Sequence, residues 1–289
     1  MTDKPPIQYG TLYLVSTPIG NYDDLSVRAK DVLSKVDLVA AEDTRKFGLL
    51  AAHHGFSAKK TTSFFKGNEK QKADALLSVL KDGESIAVAS DAGTPLISDP
   101  GEGLVRLARA SGIEVKVIPG PSALTAALAG CGLPVKDVYF KGFLPRSKEA
   151  RRKELFALRH LEATLVFYES PRRLAAMLED LKECLHPKRE AVVVRELTKT
   201  YEEYIEGSLG HLAAAFEASL AKGEIVVVVG PETHLVEEEI DLEQEIRSLI
   251  KDNFSAKDIT TKLVLKTGKP KRHIYQLVLS LLREGEESS

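Results

Sequence analysis

Short apolar runs rich in Val, Ile and Leu alternate along this chain with longer segments of helical periodicity. This alternation is typical of βαβ units around a mainly parallel sheet, whose strands are buried on both faces and are therefore continuously apolar. The pattern predicts a protein of the α/β class. In the first part of the chain we predict strands at 11–16, 37–41, 61–65, 85–90 and 114–118.

Helices are predicted in the gaps between these strands, at 26–36, 68–81, 103–110 and 121–129. The last of them is predicted to open at Pro121, because proline is favoured at the first helical position. The second has an apolar face at the helical spacing, formed by Ala73, Leu76, Leu77 and Leu80.

After about residue 132 the pattern restarts, with predicted strands at 138–143, 164–168, 191–195, 201–206 and 225–229. The third and fourth of these follow each other too closely for a crossover helix. They are therefore predicted to form an antiparallel hairpin in a mixed sheet.

Seven acidic residues between 232 and 245 favour an exposed connector. Beyond it, three helical segments indicate a small bundle similar to a helix-turn-helix, with Gly268 ending the second helix and Pro270 opening the third. We predict two α/β domains with a cleft between them, at 1–120 and 121–232, plus a small C-terminal helical module at 240–289.

Composition excludes several classes of protein. A run of about 18 apolar residues is absent, as is a secretory signal, so we expect a cytoplasmic protein that does not contact a membrane. The two cysteines and seven histidines lack metal-binding spacings, so no metal is expected. The net charge of -2 leaves any nucleic-acid surface to be sought in local patches.

Three loops rich in Gly and Pro follow predicted strands, at 16–21, 90–103 and 119–122. Ligands of open α/β sheets bind at the carboxyl ends of strands, where these loops would lie. Turn geometry alone is the alternative explanation for each loop. The fingerprints GxGxxG and GxxxxGK[ST] are absent, which argues against a dinucleotide site and against nucleotide hydrolysis.

Six motifs resemble, in the same order, those of the tetrapyrrole-methylase-like (class III) methyltransferases. They are LVSTPIGN, AEDTR, SDAGTPLISDPG, VIPGPSALTAAL, GFLPR and FYESPRR, and the similarity spans about residues 10–230. The resemblance implies a homodimer that binds S-adenosylmethionine between its two α/β halves. The C-terminal helices also resemble the appendage of a subfamily that acts on ribosomal RNA.

The resemblance places the cofactor against matching loops of both halves. The implied contacts are Pro18, Gly20, Asp91, Thr94, Ile97, Ser122, Ala123, Phe167, Tyr168 and Leu197. Asp91 is included because Gly93-Thr94-Pro95 stands where other family members have an acidic residue. Carboxylates suit the cations of this cofactor, and the N–H groups of the helix start after Pro121 suit its carboxylate.

The implied substrate is small-subunit rRNA, naked or in the assembled small ribosomal subunit, methylated at the ribose 2'-hydroxyl of a cytidine in the decoding region. A base for this hydroxyl is sought by residue type and placement. The candidates are Glu42, Asp43 and Asp99, with helix capping or a salt bridge as the alternative role of each. Arg45 and Lys46 are candidates for a phosphate contact.

Seven basic residues against two acidic ones between 141 and 159 form the densest positive patch of the main body. Predicted RNA contacts are Arg146, Arg151, Arg152 and Arg172. A second basic stretch lies at 266–273. Solvated helix faces, and pairing of Arg172 or Arg173 with Glu169 or Glu179, are the alternatives.

Two other functions stay open at the level of sequence. A small-molecule methylase acting on a tetrapyrrole would use a basic cleft to bind the carboxylates of its substrate. A non-enzymatic DNA-binding regulator would use residues 254–283 for recognition and the α/β body as a ligand sensor.

Overall fold

The computed structural model describes residues 9–217, 223–232, 242–252, 254–267 and 271–287. It confirms the α/β class, with two five-stranded sheets followed by helices. The first sheet contains β1 (Thr11–Val15), β2 (Leu38–Ala41), β3 (Thr61–Ser63), β4 (Ile86–Ala89) and β5 (Glu114–Ile118). All its strand pairs are parallel, in the order β3-β2-β4-β1-β5.

Four helices connect these strands: α1 (Val27–Lys35), α2 (Thr44–His53), α3 (Glu69–Lys81) and α4 (Glu102–Ala110). The predicted apolar face of α3 is buried. The prediction that every strand is buried on both faces is wrong for β5, where the side chain of Val117 is 55% exposed. β5 lies at the sheet edge and pairs with β1 alone. Val115 and Ile118 pack against the two cores of the first sheet, so burial is incomplete rather than absent on this strand.

The next helix, α5 (Ala123–Gly130), begins two residues later than predicted. Pro121 does not open it, because Ser122 is extended and serves as the N-cap residue. The carbonyl oxygen of Pro121 accepts a hydrogen bond from Thr94 Oγ1 at 3.3 Å. This contact accompanies an extended turn before the helix.

The second sheet contains β6 (Val138–Phe143), β7 (Thr164–Glu169), β8 (Glu190–Arg195), β9 (Glu203–Ser208) and β10 (Ile225–Val229). Its order is β6-β7-β10-β8-β9. The pair β6–β7 is parallel and the other pairs are antiparallel, which confirms the mixed sheet and the β8–β9 hairpin.

The two faces of the second sheet have separate apolar cores. On one face pack α6 (Lys148–Ala157), α7 (Leu174–Leu185) and α8 (Leu209–Glu217). On the other face α5 packs through Ala127, against Val166 and Val192 among others. α5 follows β5 in the chain but packs on the second sheet, which supports a domain boundary near residue 120. This boundary and the one at residue 232 stay predictions.

The C-terminal helices α9 (Leu242–Lys251), α10 (Ala256–Thr267) and α11 (Lys271–Glu287) confirm the helical segments predicted from the sequence. They share a core that includes Ile246, Ile259, Leu263 and Ile274. The predicted helix boundaries at Gly268 and Pro270, and most of the acidic connector, lie outside the described residues. Among the described helices, none has the length and apolarity needed to cross a membrane.

Candidate active site between the two sheets

The three Gly- and Pro-rich loops meet at one edge of the first sheet. They follow β1, β4 and β5, which are neighbours in a parallel sheet, so their carboxyl ends lie side by side. Thr17 pairs with Gly93, and Ser16 Oγ lies 3.0 Å from Thr94 Oγ1. Through its contact with Pro121, Thr94 therefore connects all three loops.

The middle loop, residues 90–103, has an unusual backbone. Leu96 and Ser98 adopt positive φ angles of 73° and 72°, a region that L-residues other than glycine rarely enter. Gly101 has φ 130°, and its N–H donates to Glu69 Oε1 at 3.0 Å. Positive φ angles in residues other than glycine cost about 1–3 kcal/mol each and cluster at ligand sites. The glycines were visible in the sequence, but the strain at Leu96 and Ser98 was not.

The second half closes this edge with the loop after β8. Glu196 and Thr198 also have positive φ, and Thr198 Oγ1 accepts a hydrogen bond from Asn21 N at 3.0 Å. A Cβ on Gly20 would lie 2.7 Å from the carbonyl oxygen of Leu197. Glycine at position 20 thus permits the close approach of the two halves.

A cavity of about 390 Å³, the central cavity, lies between these loops and the second sheet. Nine of the predicted site residues line it, from both halves of the chain. They are Glu42, Asp91, Thr94, Ile97, Asp99, Ser122, Ala123, Tyr168 and Leu197.

Four of the residues predicted as cofactor contacts or bases do not line the central cavity. Phe167 is fully buried in the core beneath α7 and α8, on the opposite face of the sheet from Tyr168, because successive strand residues alternate. Pro18 and Asp43 line a smaller hollow beside Lys46. Gly20 contacts the loop that contains Leu197 instead.

Hydrogen bonds join the acidic residues of the site. Glu42 Oε2 accepts from Asp91 N at 3.1 Å, and Asp91 Oδ1 accepts from Asp43 N at 2.9 Å. Asp91 Oδ2 lies 2.7 Å from Lys46 Nζ. These bonds fix the ends of β2 and β4 relative to each other and leave Glu42 and Asp91 on the cavity wall.

The acidity of Asp99, on this wall, is altered by its surroundings. Burial raises the pKa of Asp99 from 3.8 to about 7, with further increases from the nearby charges of Glu42 and Asp91. A hydrogen bond with Ser90 acts in the opposite direction. A carboxyl that titrates near neutral pH in a cavity can take up a proton there.

Asp43 caps helix α2. Its Oδ1 accepts from Arg45 N at 2.8 Å, and its Oδ2 lies 2.7 Å from Arg45 Nη2. The hydrogen bonds from Arg45 hold the pKa of the Asp43 carboxyl well below its usual range. This geometry favours the capping role of Asp43. Both predicted phosphate contacts have an acidic partner, since Arg45 pairs with Asp43 and Lys46 pairs with Asp91.

A second hollow, the basic groove, adjoins the central cavity and has a volume of about 880 Å³. It shares three wall residues with the cavity, namely Phe143, Glu169 and Ser170. Its full lining is Lys141, Phe143, Leu144, Pro145, Arg146, Glu154, Glu169, Ser170, Arg172 and Arg173. The structure therefore brings the predicted RNA contacts Arg146 and Arg172 together, beside the central cavity.

Arg151 does not belong to this surface, contrary to the sequence prediction. It is buried beneath α7, and its Nε and Nη2 lie 2.7 and 2.5 Å from Asp180 Oδ2. Arg152 pairs with Glu183 and does not line the basic groove. Arg173 Nη2 lies 3.2 Å from Glu169 Oε2, which agrees with the alternative of an ion pair.

Replacing Arg151 should therefore change stability. Arg151→Ala is expected to lower the free energy of unfolding by about 3–5 kcal/mol, because it leaves the carboxylate of Asp180 buried without its cation. Arg152→Ala, at an exposed pair, should cost less than about 1 kcal/mol. Urea denaturation of both variants measures the difference, and equal losses would contradict the buried role of Arg151.

Some wall residues were missed by the sequence interpretation. Ile19, Glu169 and Ser170 line the cavity, as do residues 223–226. The motif FYESP ends a strand and could have pointed to Glu169 and Ser170. Residues 223–226 enter the site because antiparallel β10 begins at the edge where β7 ends, and the direction of β10 was not apparent from the sequence.

Known structures identify the class of fold. The chain is similar to the methyltransferase CobJ, with a TM-score of 0.58, 20% identity and coverage of 77% of this chain and 95% of that one. It is also similar to a uroporphyrin-III C-methyltransferase from Thermus thermophilus complexed with S-adenosylhomocysteine, with a TM-score of 0.56, 17% identity and coverages of 76% and 97%. The fold is that of the tetrapyrrole methylases.

The model of the tetrapyrrole (corrin/porphyrin) methylase family matches residues 11–213. The chain belongs to this family of methyltransferases, which confirms the resemblance found in the motifs. Proteins named ribosomal RNA small subunit methyltransferase I are similar along most of its length. That of Mesorhizobium japonicum is 43% identical and covers 93% of this chain and 92% of its own length. That of Escherichia coli O157:H7 is 47% identical, with both coverages at 80%.

A relative of the same name matches a smaller share of this chain. The Thermotoga maritima protein is 43% identical over 220 residues, which are 98% of its length and 76% of this chain. About a quarter of this chain therefore lies outside the match to that relative.

Proposed function

We propose that this chain transfers the methyl group of S-adenosylmethionine to small-subunit ribosomal RNA, at the ribose 2'-hydroxyl of a cytidine. The observation that carries the proposal is the shared wall between an acid-lined cavity and a basic groove. The cavity suits a cationic methyl donor and the groove suits a phosphodiester chain. The names of the relatives support rRNA as the substrate class, and a substrate of this class implies action in the cytoplasm.

The residues of the central cavity are compatible with S-adenosylmethionine. A volume of about 390 Å³ lies within the usual range of small-molecule sites. Glu42, Asp91 and Asp99 present carboxylates to a sulfonium and an ammonium group. The start of α5 at Ala123 presents backbone N–H groups to a carboxylate, and Ile19 and Val226 supply apolar wall.

Methyl transfer to a hydroxyl needs alignment and the removal of one proton. The cofactor supplies an electrophilic methyl group, so holding the acceptor in line with it accounts for much of the rate. Ionised Asp99, on the cavity wall, is proposed to accept the hydroxyl proton, since burial keeps its affinity for protons high. Glu42 acts on Asp99 through its negative charge, which raises that affinity further.

The basic groove is proposed to bind phosphates of the RNA through Arg146 and Arg172, both of which are exposed. Charge reversal at both positions should weaken RNA binding and reduce its dependence on salt. Each lost phosphate contact should reduce the magnitude of the negative slope of log affinity against log salt concentration by about 0.7 on single strands. Filter binding at several salt concentrations measures this slope.

Lys30→Glu is the matched control, because Lys30 is exposed on α1 and does not line the groove. Lys30→Glu should change the salt slope less than charge reversal at Arg146 and Arg172 does. Equal slopes for wild type, control and groove variants would mean that the groove does not hold phosphates. Affinity for S-adenosylmethionine should be unchanged in all of them.

A tetrapyrrole substrate is the second candidate, favoured by the structural similarity to a uroporphyrin-III C-methyltransferase. Both candidates can be tested with radiolabelled donor in parallel reactions. One reaction contains unmodified small ribosomal subunits, a second contains naked small-subunit rRNA, and a third contains a uroporphyrinogen. Label in RNA, followed by nuclease mapping to a cytidine, supports the proposal, whereas label in the tetrapyrrole alone contradicts it.

We further propose that the chain forms a homodimer. Helix α5 is composed almost wholly of apolar residues, and beside the buried Ala127 four of its apolar side chains are only partly buried, at Ala123, Leu124, Ala126 and Leu128. Val117, Val135 and Tyr139, from neighbouring segments of the chain, are also exposed. A helix that is apolar on all sides is usually covered, and a second copy of the chain would cover it. Sedimentation as a monomer at micromolar concentration would contradict this assembly.

A further inference from the structure

Phe143 is an exposed aromatic residue at the junction of the central cavity and the basic groove. Its side chain is 57% exposed, and it lines both hollows. Burying a ring of this size would be favourable, so its exposure at a shared wall calls for an explanation. The methyl-donor chemistry proposed above does not use it.

A β-bulge aims Phe143 at this position. The register between β6 and β7 shifts between Phe140 and Gly142, so Lys141 is an extra residue in the strand. Bulges of this kind re-aim side chains and are frequent beside active sites. As a result Phe140 and Phe143 both contact Tyr168, with ring centroids 5.0 and 5.7 Å from that of Tyr168.

Glycine is required at the bulge. Gly142 has φ 69°, and a Cβ at this position would lie 2.9 Å from Ser98 Oγ on the strained middle loop. The chain therefore brings the end of β6 close to the middle loop, which lines the central cavity. The bulge and the left-handed glycine together present one ring.

The surroundings of this ring suit a nucleotide. One side of Phe143 adjoins the groove with the exposed cations Arg146 and Arg172, and the other adjoins the cavity with Asp99. Aromatic rings beside a basic groove bind single-stranded nucleic acid by stacking on its bases. A nucleotide whose ribose reaches into a cavity must leave its helical stack, and it then needs a new stacking partner.

We propose that Phe143 is the stacking platform for the base of the methylated nucleotide, and that it positions the attached ribose at the mouth of the central cavity. The inference rests on the proposed RNA methylation and names a positioning residue for it. The phosphates on either side of the stacked base would contact Arg146 and Arg172.

The test compares Phe143→Ala and Phe143→Trp with the control Tyr201→Ala. Tyr201 is 78% exposed and lines neither hollow. Stacking on one aromatic residue corresponds to about 5- to 150-fold in affinity. We therefore expect Phe143→Ala to raise KM for small ribosomal subunits tenfold or more, with kcat reduced less. Phe143→Trp should stay within about threefold of wild type, because tryptophan also stacks.

Two further measurements separate this role from a structural one. Calorimetry with S-adenosylhomocysteine should give the same affinity for all three variants, and thermal unfolding should give similar midpoints. An affinity lost in step with activity would mean that Phe143 acts through binding of the methyl donor, and it would overturn the inference. So would full activity of Phe143→Ala.

Failure of the proposed function would be visible in the wild-type protein, which would then label no small-subunit RNA. Binding of a fluorescent single-stranded oligoribonucleotide tests the platform independently of methyl transfer. Weaker binding by Phe143→Ala, and not by Tyr201→Ala, supports the stacking role. Equal binding by all variants contradicts it.

Discussion

Thr94→Arg is expected to lower the affinity for S-adenosylmethionine at least a hundredfold without unfolding the protein. Thr94 stands where the three loops of the first sheet meet, with its Oγ1 bonded to Ser16 and to Pro121. A longer side chain at this point enters the central cavity. It also brings a positive charge towards a cationic ligand, and two like charges 4 Å apart repel by about 4 kcal/mol at an effective dielectric constant of 20.

Calorimetry with S-adenosylmethionine measures the effect, and circular dichroism checks the fold. Thr94→Val measures the loss of the hydroxyl contacts alone, because it adds neither length nor charge. Thr61→Arg is the matched control, since Thr61 is exposed on edge strand β3. Undiminished affinity in Thr94→Arg would mean that the donor binds elsewhere.

The meeting of the three loops could be predicted from sequence because of a general property of parallel sheets. Carboxyl ends of parallel strands share one edge, so loops that follow such strands lie on one side. The order β4-β1-β5, which makes the three strands neighbours, was not available from local pattern. It depends on which strands pair over long distances in the chain.

The face of a strand was harder to predict where both faces are buried. β7 reads Thr-Leu-Val-Phe-Tyr-Glu, with every residue buried except Tyr168. Such a run lacks the polar alternation that shows which side chains face a site. Phe167 and Tyr168 were therefore assigned to the cavity together, although adjacent residues must point to opposite faces.

The sequence did contain a signal for the burial of Arg151. It precedes Leu155 by four residues, so the two share one face of α6, and Leu155 is fully buried. The count of basic residues between 141 and 159 obscured this periodicity. The partner carboxylate, Asp180, lies 29 residues away on another helix, and sequence alone did not link the two.

Asp99→Asn is expected to reduce the rate of methyl transfer by about 10²- to 10⁴-fold, the usual contribution of a positioned general base. Asparagine keeps the size of the side chain and cannot accept the proton. Affinity for S-adenosylmethionine should fall much less, because Glu42 and Asp91 still line the cavity. Asp74→Asn, at an exposed position of α3, is the matched control and should retain wild-type activity.

The pH dependence of kcat/KM also tests whether Asp99 acts as the base. A carboxyl whose pKa is raised to about 7 is mostly protonated at pH 6 and mostly ionised at pH 8. Only the ionised form is a base, so kcat/KM of the wild type should rise through pH 7 and then level off, and Asp99→Asn should lose that rise. The raised pKa of Asp99 also affects folding stability. The contribution of this group to the free energy of unfolding is highest below pH 3.8 and falls progressively as the pH rises to about 7. Asp99→Asn should therefore unfold at a higher temperature relative to wild type at pH 8 than at pH 5. A rise in kcat/KM that persists in Asp99→Asn would assign the proton to another group.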